Sequence, residues 1–161
     1  MLPINTGLIG CHILRFRPKA PPECLILHRS QETSYYPGIW QMLTGHIKEG
    51  ESVVQAVLRE IQEETSLKPT SLYSLNYVTR FFEQEDESIY LVPLFLAVAP
   101  HSSRVNLNPK EHDKYKWCNF QEAMRYLVWN QHRKALLHIR REFLEREPSP
   151  NLKLFESNPP E

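Results

Sequence analysis

The stretch GHIKEGESVVQAVLREIQEETSL, from Gly45 to Leu67, decides the fold and the chemistry that we expect of this chain. Its second part predicts a helix over 52–65, since apolar side chains recur there at helical spacing. Ser52 and Gln55 have the spacing of a capping box, which satisfies two free N–H groups at the start of a helix. The glycines before the helix predict a loop that can fold back along it.

Three carboxylates, Glu60, Glu63 and Glu64, share one face of this predicted helix. Residues three and four apart are neighbours on a helix, so these charges repel one another unless a cation lies between them. Hard oxygen ligands favour Mg²⁺ or Mn²⁺. Adjacent glutamates are also typical of a solvated helix face. The residues around them distinguish a cation site from such a face.

The residues around the three glutamates favour a cation-binding site over a solvated helix face. Arg59 directly precedes the acidic cluster and Glu51 directly precedes the helix, so an ion pair between them would tie the loop to the helix. The loop from Gly45 to Gly50 leads straight into the same helix.

The whole segment resembles the Nudix box, whose pattern is Gly-x5-Glu-x7-Arg-Glu-U-x-Glu-Glu-x-Gly-U, with U an aliphatic residue. The matching positions are Gly45, Glu51, Arg59, Glu60, Ile61, Glu63, Glu64 and Leu67. Ser66 stands where the family has a glycine that ends the helix in a left-handed conformation. That conformation costs a serine on the order of 1 kcal/mol, which affects the helix end rather than the metal chemistry.

The resemblance implies an α/β fold of the Nudix type, an α/β/α sandwich with a central mixed β-sheet. It implies a pyrophosphohydrolase with Mg²⁺ as cofactor, or Mn²⁺ in its place. Glu60 and Glu64 would be metal ligands, Glu63 a third ligand or the general base, and the Gly45 carbonyl a further ligand. Arg59 would pair with Glu51 and orient the catalytic carboxylates.

The segments that flank the box, 40–52 and 110–123, resemble those of bacterial Nudix pyrophosphatases that act on dATP or dihydroneopterin triphosphate. In the second segment Glu111 lies in a Glu-His-x-x-Tyr-x-Trp context, from which the family can bring a glutamate to the metal. Glu111 would then be a metal ligand or the general base. The alternative is a solvated loop glutamate.

Four residues outside the box are candidates for binding substrate. Tyr36 and Trp40 carry aromatic faces that can stack on a base, although Trp40 also fits a core position. Arg29 ends a predicted strand and could meet a phosphate. Arg80 is a weaker candidate for the same role.

The rest of the chain predicts a sheet covered by helices. Strands are predicted over 8–16, 24–28, 40–44, 72–82, 89–98 and 115–118, with helices beginning at caps Asn119 and Asn130. Pro93 weakens the strand over 89–98, because proline donates no ladder hydrogen bond. We expect one domain over 1–147 and an extended or disordered tail over 148–161, which is rich in proline and charge.

Composition excludes some partners. The chain has 19 basic and 19 acidic residues, which argues against a broad nucleic-acid surface, and has no membrane-length apolar run. Three scattered cysteines and a start unlike a signal peptide predict a reducing, cytoplasmic setting. The expected partner is a small nucleotide, with pairing to a second copy left open.

The expected reaction is Mg²⁺-dependent hydrolysis of a phosphoanhydride bond in a nucleoside diphosphate derivative. A (d)NTP or pterin triphosphate, giving monophosphate and pyrophosphate, is the first expectation. A nucleotide sugar, a dinucleoside polyphosphate or an RNA 5′ end is the second. A non-catalytic nucleotide-binding module is a different class of function, and metal-dependent turnover distinguishes it from the hydrolase.

Overall fold

A computed structural model describes residues 1–158 of the chain. Three α-helices, α1 Val53–Thr65, α2 Phe120–Tyr126 and α3 Asn130–Ile139, cover a single sheet. The strands of that sheet are β1 Ile4–Asn5, β2 Leu8–Arg15, β3 Glu23–Arg29, β4 Trp40–Gln41, β5 Leu43–His46, β6 Ser71–Glu83, β7 Ser88–Val98, β8 His112–Cys118 and β9 Lys153–Glu156.

The sheet is mixed. Its main path runs β4-β3-β2-β7-β6-β9, while β1 pairs with β7, β5 with β2 and β8 with β3. Strand β2 runs parallel to β7, with Cys11 opposite Phe95, and antiparallel to β5, with Ile9 opposite Gly45. This second pairing places the end of β5, and the loop that leads into α1, at one edge of the central strands.

Each face of the sheet has its own apolar core. On one face α1 packs through Val57 and Ile61 onto Ile9, Cys11 and Ile13 of β2. On the other face α2 and α3 pack on the side chains of alternate strand positions, among them Leu14, Ile26, Leu94, Ala135, Leu136 and Ile139. The predicted sandwich of helices on both faces of a mixed sheet is confirmed.

Two of the three predicted helix caps are present in the structure. The capping box of α1 is present, with Ser52 and Gln55 each accepting the other's backbone N–H, and Asn119 caps α2 by accepting the N–H of Glu122. The cap predicted at Asn130 is wrong, since Asn130 is already helical and Trp129 precedes it without a side-chain cap bond.

The strand containing Pro93 forms despite its proline. Pro93 faces Val78 of β6 where the register of the β6–β7 pair shifts between Ser74 and Val78. This bulge, in which Asn76 has a φ of 49°, interrupts the ladder on that side. Proline is tolerated at a bulge because the missing N–H would have no regular partner there.

The C-terminal segment packs on the sheet. A 3₁₀ turn, Pro150–Leu152, leads into β9, which pairs antiparallel with the start of β6. Of the two alternatives predicted for the tail, extended or disordered, Lys153–Glu156 takes the extended one and is hydrogen-bonded to β6. No strand is predicted here from the sequence, because four residues are too few to show the alternation of a strand. Residues 159–161 lie outside the described part, and the domain boundary at 147 stays a prediction.

Two further features bear on the sequence expectations. Cys11, Cys24 and Cys118 are all buried free thiols. Within residues 1–158, none of the helices has the length and apolar character that crossing a membrane requires.

Candidate active site

The loop between β5 and α1 lies directly against the acidic face of the helix. A Cβ atom added at Gly45 would overlap Cγ and Cδ of Glu60. Next along the chain, the backbone N–H of His46 donates to Oε1 of Glu60 at 3.2 Å. Glycine is required at position 45 for this close approach of backbone to carboxylate.

Arg59 connects the loop to the helix. Its Nε and Nη2 donate to the two carboxylate oxygens of Glu51 at 2.7 and 3.0 Å, and Nη2 also donates to the carbonyl of His46 at 2.7 Å. Its Nη1 donates to Oε1 of Glu60 at 2.9 Å and to Oε2 of Glu63 at 3.1 Å. Two-pronged arginine–carboxylate pairs fix orientation, so Arg59 sets the positions of three glutamates.

The contact between Arg59 and Glu51 shifts the pKa values of both groups. The Arg59 guanidinium lowers the pKa of Glu51 to about 2, with help from the backbone N–H of Lys48. The same contacts, led by Glu51, raise the pKa of Arg59. Both groups therefore stay charged at neutral pH, and the loop remains tied to the helix.

Glu64 is in a different environment. The residue is 6% exposed, and its Oε2 has no hydrogen-bond partner among residues 1–158. Burial, followed by the negative charges of Glu60 and Glu111, raises the pKa of Glu64 to about 9, and Arg29 opposes this shift. An ionised carboxylate that is buried among like charges is unfavourable, so a bound cation would stabilise the charged form of Glu64.

A turn before β8 brings Glu111 to the helix. The N–H groups of Glu111 and His112 donate to the carbonyl of Asn108 at 3.0 and 2.9 Å, and the N–H of Asn108 donates to the carbonyl of Glu64 at 3.3 Å. The carbonyl of Glu111 accepts from the N–H of Ser30 at 3.0 Å. The turn is thus fixed to α1 on one side and to the end of β3 on the other.

His112 is buried beside Glu64. Its Nδ1 lies 3.6 Å from Oε2 of Glu64, and its side chain is 1% exposed. Burial, with the nearby Arg29, lowers the pKa of His112 to about 4. The imidazole is therefore neutral at pH 7 and does not supply the missing positive charge.

The carboxylates of α1 and of the Glu111 turn line one cavity of about 540 Å³, which we call the acidic cavity. The predicted residues that the structure brings together there are Arg29, Gly45, Arg59, Glu60, Glu63, Glu64 and Glu111. Two lysines that were not singled out from the sequence, Lys48 and Lys110, line the same cavity. The site therefore combines clustered carboxylates with cationic side chains suited to phosphate oxygens.

A second cavity of about 490 Å³ adjoins the first, and Arg29, Tyr35, Thr44 and His46 line both. We call it the aromatic cavity, because its walls are rich in aromatic rings, namely Tyr35, Tyr36, Phe81, Phe82, Tyr90 and Trp129. Phe81 and Tyr90 are parallel at 5.1 Å, and Tyr36 meets Trp129 edge to face at 4.9 Å. Planar apolar walls of this kind suit a base or another flat ring.

Two predicted substrate contacts, Trp40 and Arg80, line neither cavity. Trp40 packs against the core face of α2, 5.5 Å from the ring of Tyr126 and 5.0 Å from that of His28. Arg80 is exposed on β6, between Thr79 and Phe81, which line the aromatic cavity. Side chains alternate across a strand, so Arg80 points away from Thr79 and Phe81, and it lines neither cavity.

The residues fit a divalent cation. The donor set is entirely oxygen from carboxylates, Oε2 of Glu64 lacks a partner, and Gly45 lets its backbone approach Glu60. Within residues 1–158, no three His, Cys, Asp or Glu side chains already converge at ligand spacing. Arg59 holds Glu60 and Glu63 instead, so the cation would be shared between Glu64 and side chains that turn toward it.

A family model for the NUDIX domain matches residues 9–139, which is most of the chain. The chain belongs to the Nudix family. The match extends from β2 to the end of α3 and so includes the acidic helix, the Glu111 turn and both cavities. The family resemblance that the sequence suggested is confirmed.

Individual relatives agree with this. The asymmetrical bis(5′-nucleosyl)-tetraphosphatase of Sus scrofa is 30% identical in an alignment of 152 positions that covers 86% of this chain and 96% of that protein. An Ap4A hydrolase of C. elegans in a binary complex superposes with a TM-score of 0.68 at 25% identity, over 84% of this chain and 95% of that one. The dihydroneopterin triphosphate pyrophosphohydrolase of E. coli shares the fold, with a TM-score of 0.61 at 22% identity over 80% and 91%.

Other relatives are longer than this chain. It spans 25% of an octanoyltransferase of Myxococcus xanthus and 42% of Nudix hydrolase 6 of Arabidopsis thaliana. Relatives that the chain matches are named as hydrolases, among them Nudix hydrolase 6 and the bis(5′-nucleosyl)-tetraphosphatase. Nudix hydrolases generally use divalent metal ions, in agreement with the oxygen-rich donor set found here.

Proposed function

We propose that this Nudix hydrolase cleaves a nucleoside polyphosphate with Mg²⁺, and that a dinucleoside tetraphosphate is its first candidate substrate. The observation that carries the proposal is the junction of the acidic cavity with the aromatic one through Arg29 and Thr44. A phosphate chain at the acidic cavity and a base between the aromatic rings would occupy both. The tetraphosphatase of Sus scrofa, matched over nearly its whole length, supports this choice of substrate.

The carboxylates would bind the cation, and Arg59 would position them. Glu60, Glu63, Glu64 and Glu111, with the Gly45 carbonyl, would hold the cation. Bound magnesium would offset phosphate charge and lower the pKa of the attacking water. Arg59 keeps the carboxylates in position through its contacts to Glu51 and the His46 carbonyl.

The cationic side chains around the acidic cavity would hold phosphate oxygens. Arg29 lies where the two cavities meet, so it is placed to bind the phosphate next to the nucleoside. Lys48 and Lys110 line the acidic cavity only and would bind the distal phosphates. A neighbouring carboxylate, Glu111 or Glu63, would accept the proton that the water loses.

A hydrolysis screen with and without Mg²⁺ tests the proposal. The panel contains dinucleoside tetraphosphates, (d)NTPs, dihydroneopterin triphosphate and nucleotide sugars, with products identified by chromatography. Asymmetrical cleavage of a tetraphosphate gives one triphosphate and one monophosphate, whereas cleavage of a triphosphate gives monophosphate and pyrophosphate. Metal-dependent formation of the first pair of products, with kcat/KM above that for any triphosphate, is the expected result.

The second candidate substrate is the triphosphate that the flanking sequence suggested. The single aromatic cavity is large enough for one base or pterin, which agrees with a substrate that has one ring system. A kcat/KM that is higher for a (d)NTP or dihydroneopterin triphosphate than for every tetraphosphate would replace the first candidate with this one.

A further inference from the structure

We propose that Glu83 selects the base of the substrate, favouring rings with a ring N–H beside an exocyclic amino group, as guanine and pterins have. This inference rests on the proposed function, because it places a base in the aromatic cavity. It goes beyond that function by naming which bases the cavity accepts and which side chain decides between them.

Glu83 ends β6 and lines the aromatic cavity. Its Oε1 accepts a hydrogen bond from the hydroxyl of Tyr36 at 2.8 Å and another from the backbone N–H of Glu85 at 3.2 Å. Both contacts hold the carboxylate in place at the same oxygen. Among residues 1–158 no donor reaches the other oxygen, Oε2, which remains available to a ligand.

The second acidic residue of this cavity, Asp86, is already engaged. Its Oδ1 accepts the backbone N–H of Ser88 at 3.1 Å, and its Oδ2 accepts the hydroxyl of Tyr90 at 2.6 Å. Of the two carboxylates that line the aromatic cavity, Glu83 is therefore the one with an oxygen free of protein donors.

Aromatic rings lie beside this carboxylate and offer surfaces on which a base can stack. Phe81 lies two residues before Glu83 on the same strand face and is parallel to Tyr90 within 3°. Tyr36, which donates to Glu83, also packs on Trp129. A flat ring stacked against the outer face of these side chains would lie near the end of β6, within reach of Glu83.

The charge of the two cavities sets the direction of the substrate. Arg29 lines both cavities, and Lys48 and Lys110 line only the acidic one, whereas Glu83 and Asp86 line only the aromatic one. Phosphates would avoid the Glu83 end and be drawn to the lysines. The base, rather than a phosphate, therefore faces Glu83.

A carboxylate accepts hydrogen bonds and donates none. The guanine and pterin edges offer a ring N–H and an amino N–H side by side, which can both donate to it. Adenine and cytosine place a ring-nitrogen lone pair beside their amino group, and this lone pair would face a carboxylate oxygen. A site built to accept hydrogen bonds rejects ligands that lack the matching donors.

The first test compares guanine and adenine substrates in the wild type and two variants. For the pairs Gp4G and Ap4A, and GTP and ATP, we expect kcat/KM to favour guanine by about 10-fold or more, the range of one charged hydrogen bond. Glu83→Gln should bring the ratio to within about 3-fold, because the amide offers one acceptor in place of a charge. Glu85→Gln, which removes the same charge from a residue outside the cavity lining, should leave the ratio unchanged.

A second test does not need turnover. Binding of GMP and AMP to the metal-free wild type, Glu83→Gln and Glu85→Gln proteins is measured by calorimetry, after thermal melts show that each is folded. Tighter binding of GMP that is lost in Glu83→Gln alone supports the inference, even if no polyphosphate is hydrolysed and the proposed function fails. Equal binding of GMP and AMP, or a preference that survives Glu83→Gln, overturns it, even if hydrolysis is fast.

Discussion

Replacing Gly45 with alanine adds one methyl group at the tightest point of the site. The added Cβ would overlap Cγ and Cδ of Glu60. Gly45 is not among the residues with positive φ, so its backbone accommodates alanine and the contact alone produces the effect. Either Glu60 must rotate away or β5 must shift from α1.

The contacts of Glu60 give the expected magnitude. If its carboxylate moves, Oε1 loses the N–H of His46 at 3.2 Å and Nη1 of Arg59 at 2.9 Å. A hydrogen bond to a charged group contributes about 1.5–3 kcal/mol, and partial rearrangement should leave a net loss of about 2 kcal/mol. A displacement of about 1 Å in a catalytic group can lower the rate about 100-fold, so kcat should fall by about that factor.

Steady-state hydrolysis with Mg²⁺ and chemical denaturation measure the two effects. The matched control is Gly7→Ala in the segment before β2, where the added Cβ would meet only Oδ1 of Asn5 at 3.4 Å, an ordinary contact. Gly7→Ala should keep kcat within about 3-fold of the wild type, far less than a misplaced catalytic group produces. If Gly45→Ala keeps the activity and stability of the control, then Glu60 is not held in a functional position by this contact, and the reasoning is refuted.

Three further predictions concern single acidic or titrating groups. Glu64→Gln should abolish turnover while leaving the metal-free chain at least as stable as the wild type, because it removes a buried group with no partner on Oε2; a normal kcat would contradict the metal site. Glu111→Gln should slow turnover at least about 10-fold in single-turnover assays, whereas full activity would leave the base role to Glu63. His12 is fully buried and its folded-state pKa is about 4, below the ordinary 6.5, so protonation of the unfolded chain should lower stability by about 2 kcal/mol as the pH falls from 7 to 5. Urea titrations at both pH values should show that His12→Phe loses about 2 kcal/mol of acid sensitivity. Burial also lowers the pKa of His112 to about 4 and that of His132 to about 3, so their share remains. The exposed His101→Phe should keep the full sensitivity.

The helix that carries the acidic cluster could be predicted because its signals are local. The Ser52 cap, the apolar period and the end at Ser66 all lie within the helix or beside it. Even the departure from the family pattern is explained, since Ser66 adopts the left-handed conformation with a φ of 60°, and its hydroxyl donates to the carbonyl of Asn106.

The substrate contacts were harder to predict because they depend on which face of a strand meets the cavity. The alternation of β6 shows that Thr79, Phe81 and Glu83 share a face while Arg80 has the other, but the sequence does not say which face adjoins the site. Trp40 illustrates the same limit, since an aromatic residue beside the box fits a ligand wall and a core equally well. Phe81, Tyr90 and Trp129 come together only through the tertiary packing of a hairpin and a helix start.

The approach of Glu111 to Glu64 also depends on contacts distant in sequence. The family context suggested it, but the physical cause is the Asn108 turn, which hydrogen-bonds to the end of α1 and to Ser30. No local pattern around Glu111 contains those partners. The buried neighbour His112 was missed for the same reason, because its sequence context does not show that it packs on Glu64.

The site divides its acidic residues into two groups with different electrostatics. Arg59 forms ion pairs with Glu51, Glu60 and Glu63 and so holds the loop and helix together without help from a ligand. Glu64 is left without a positively charged partner in hydrogen-bonding contact, and the nearest imidazole, His112, is neutral. Perturbed carboxylates of this kind cluster at functional sites because stability alone would not retain them. The arginine network therefore explains why the site is formed in the folded chain, and Glu64 explains why it should bind a cation.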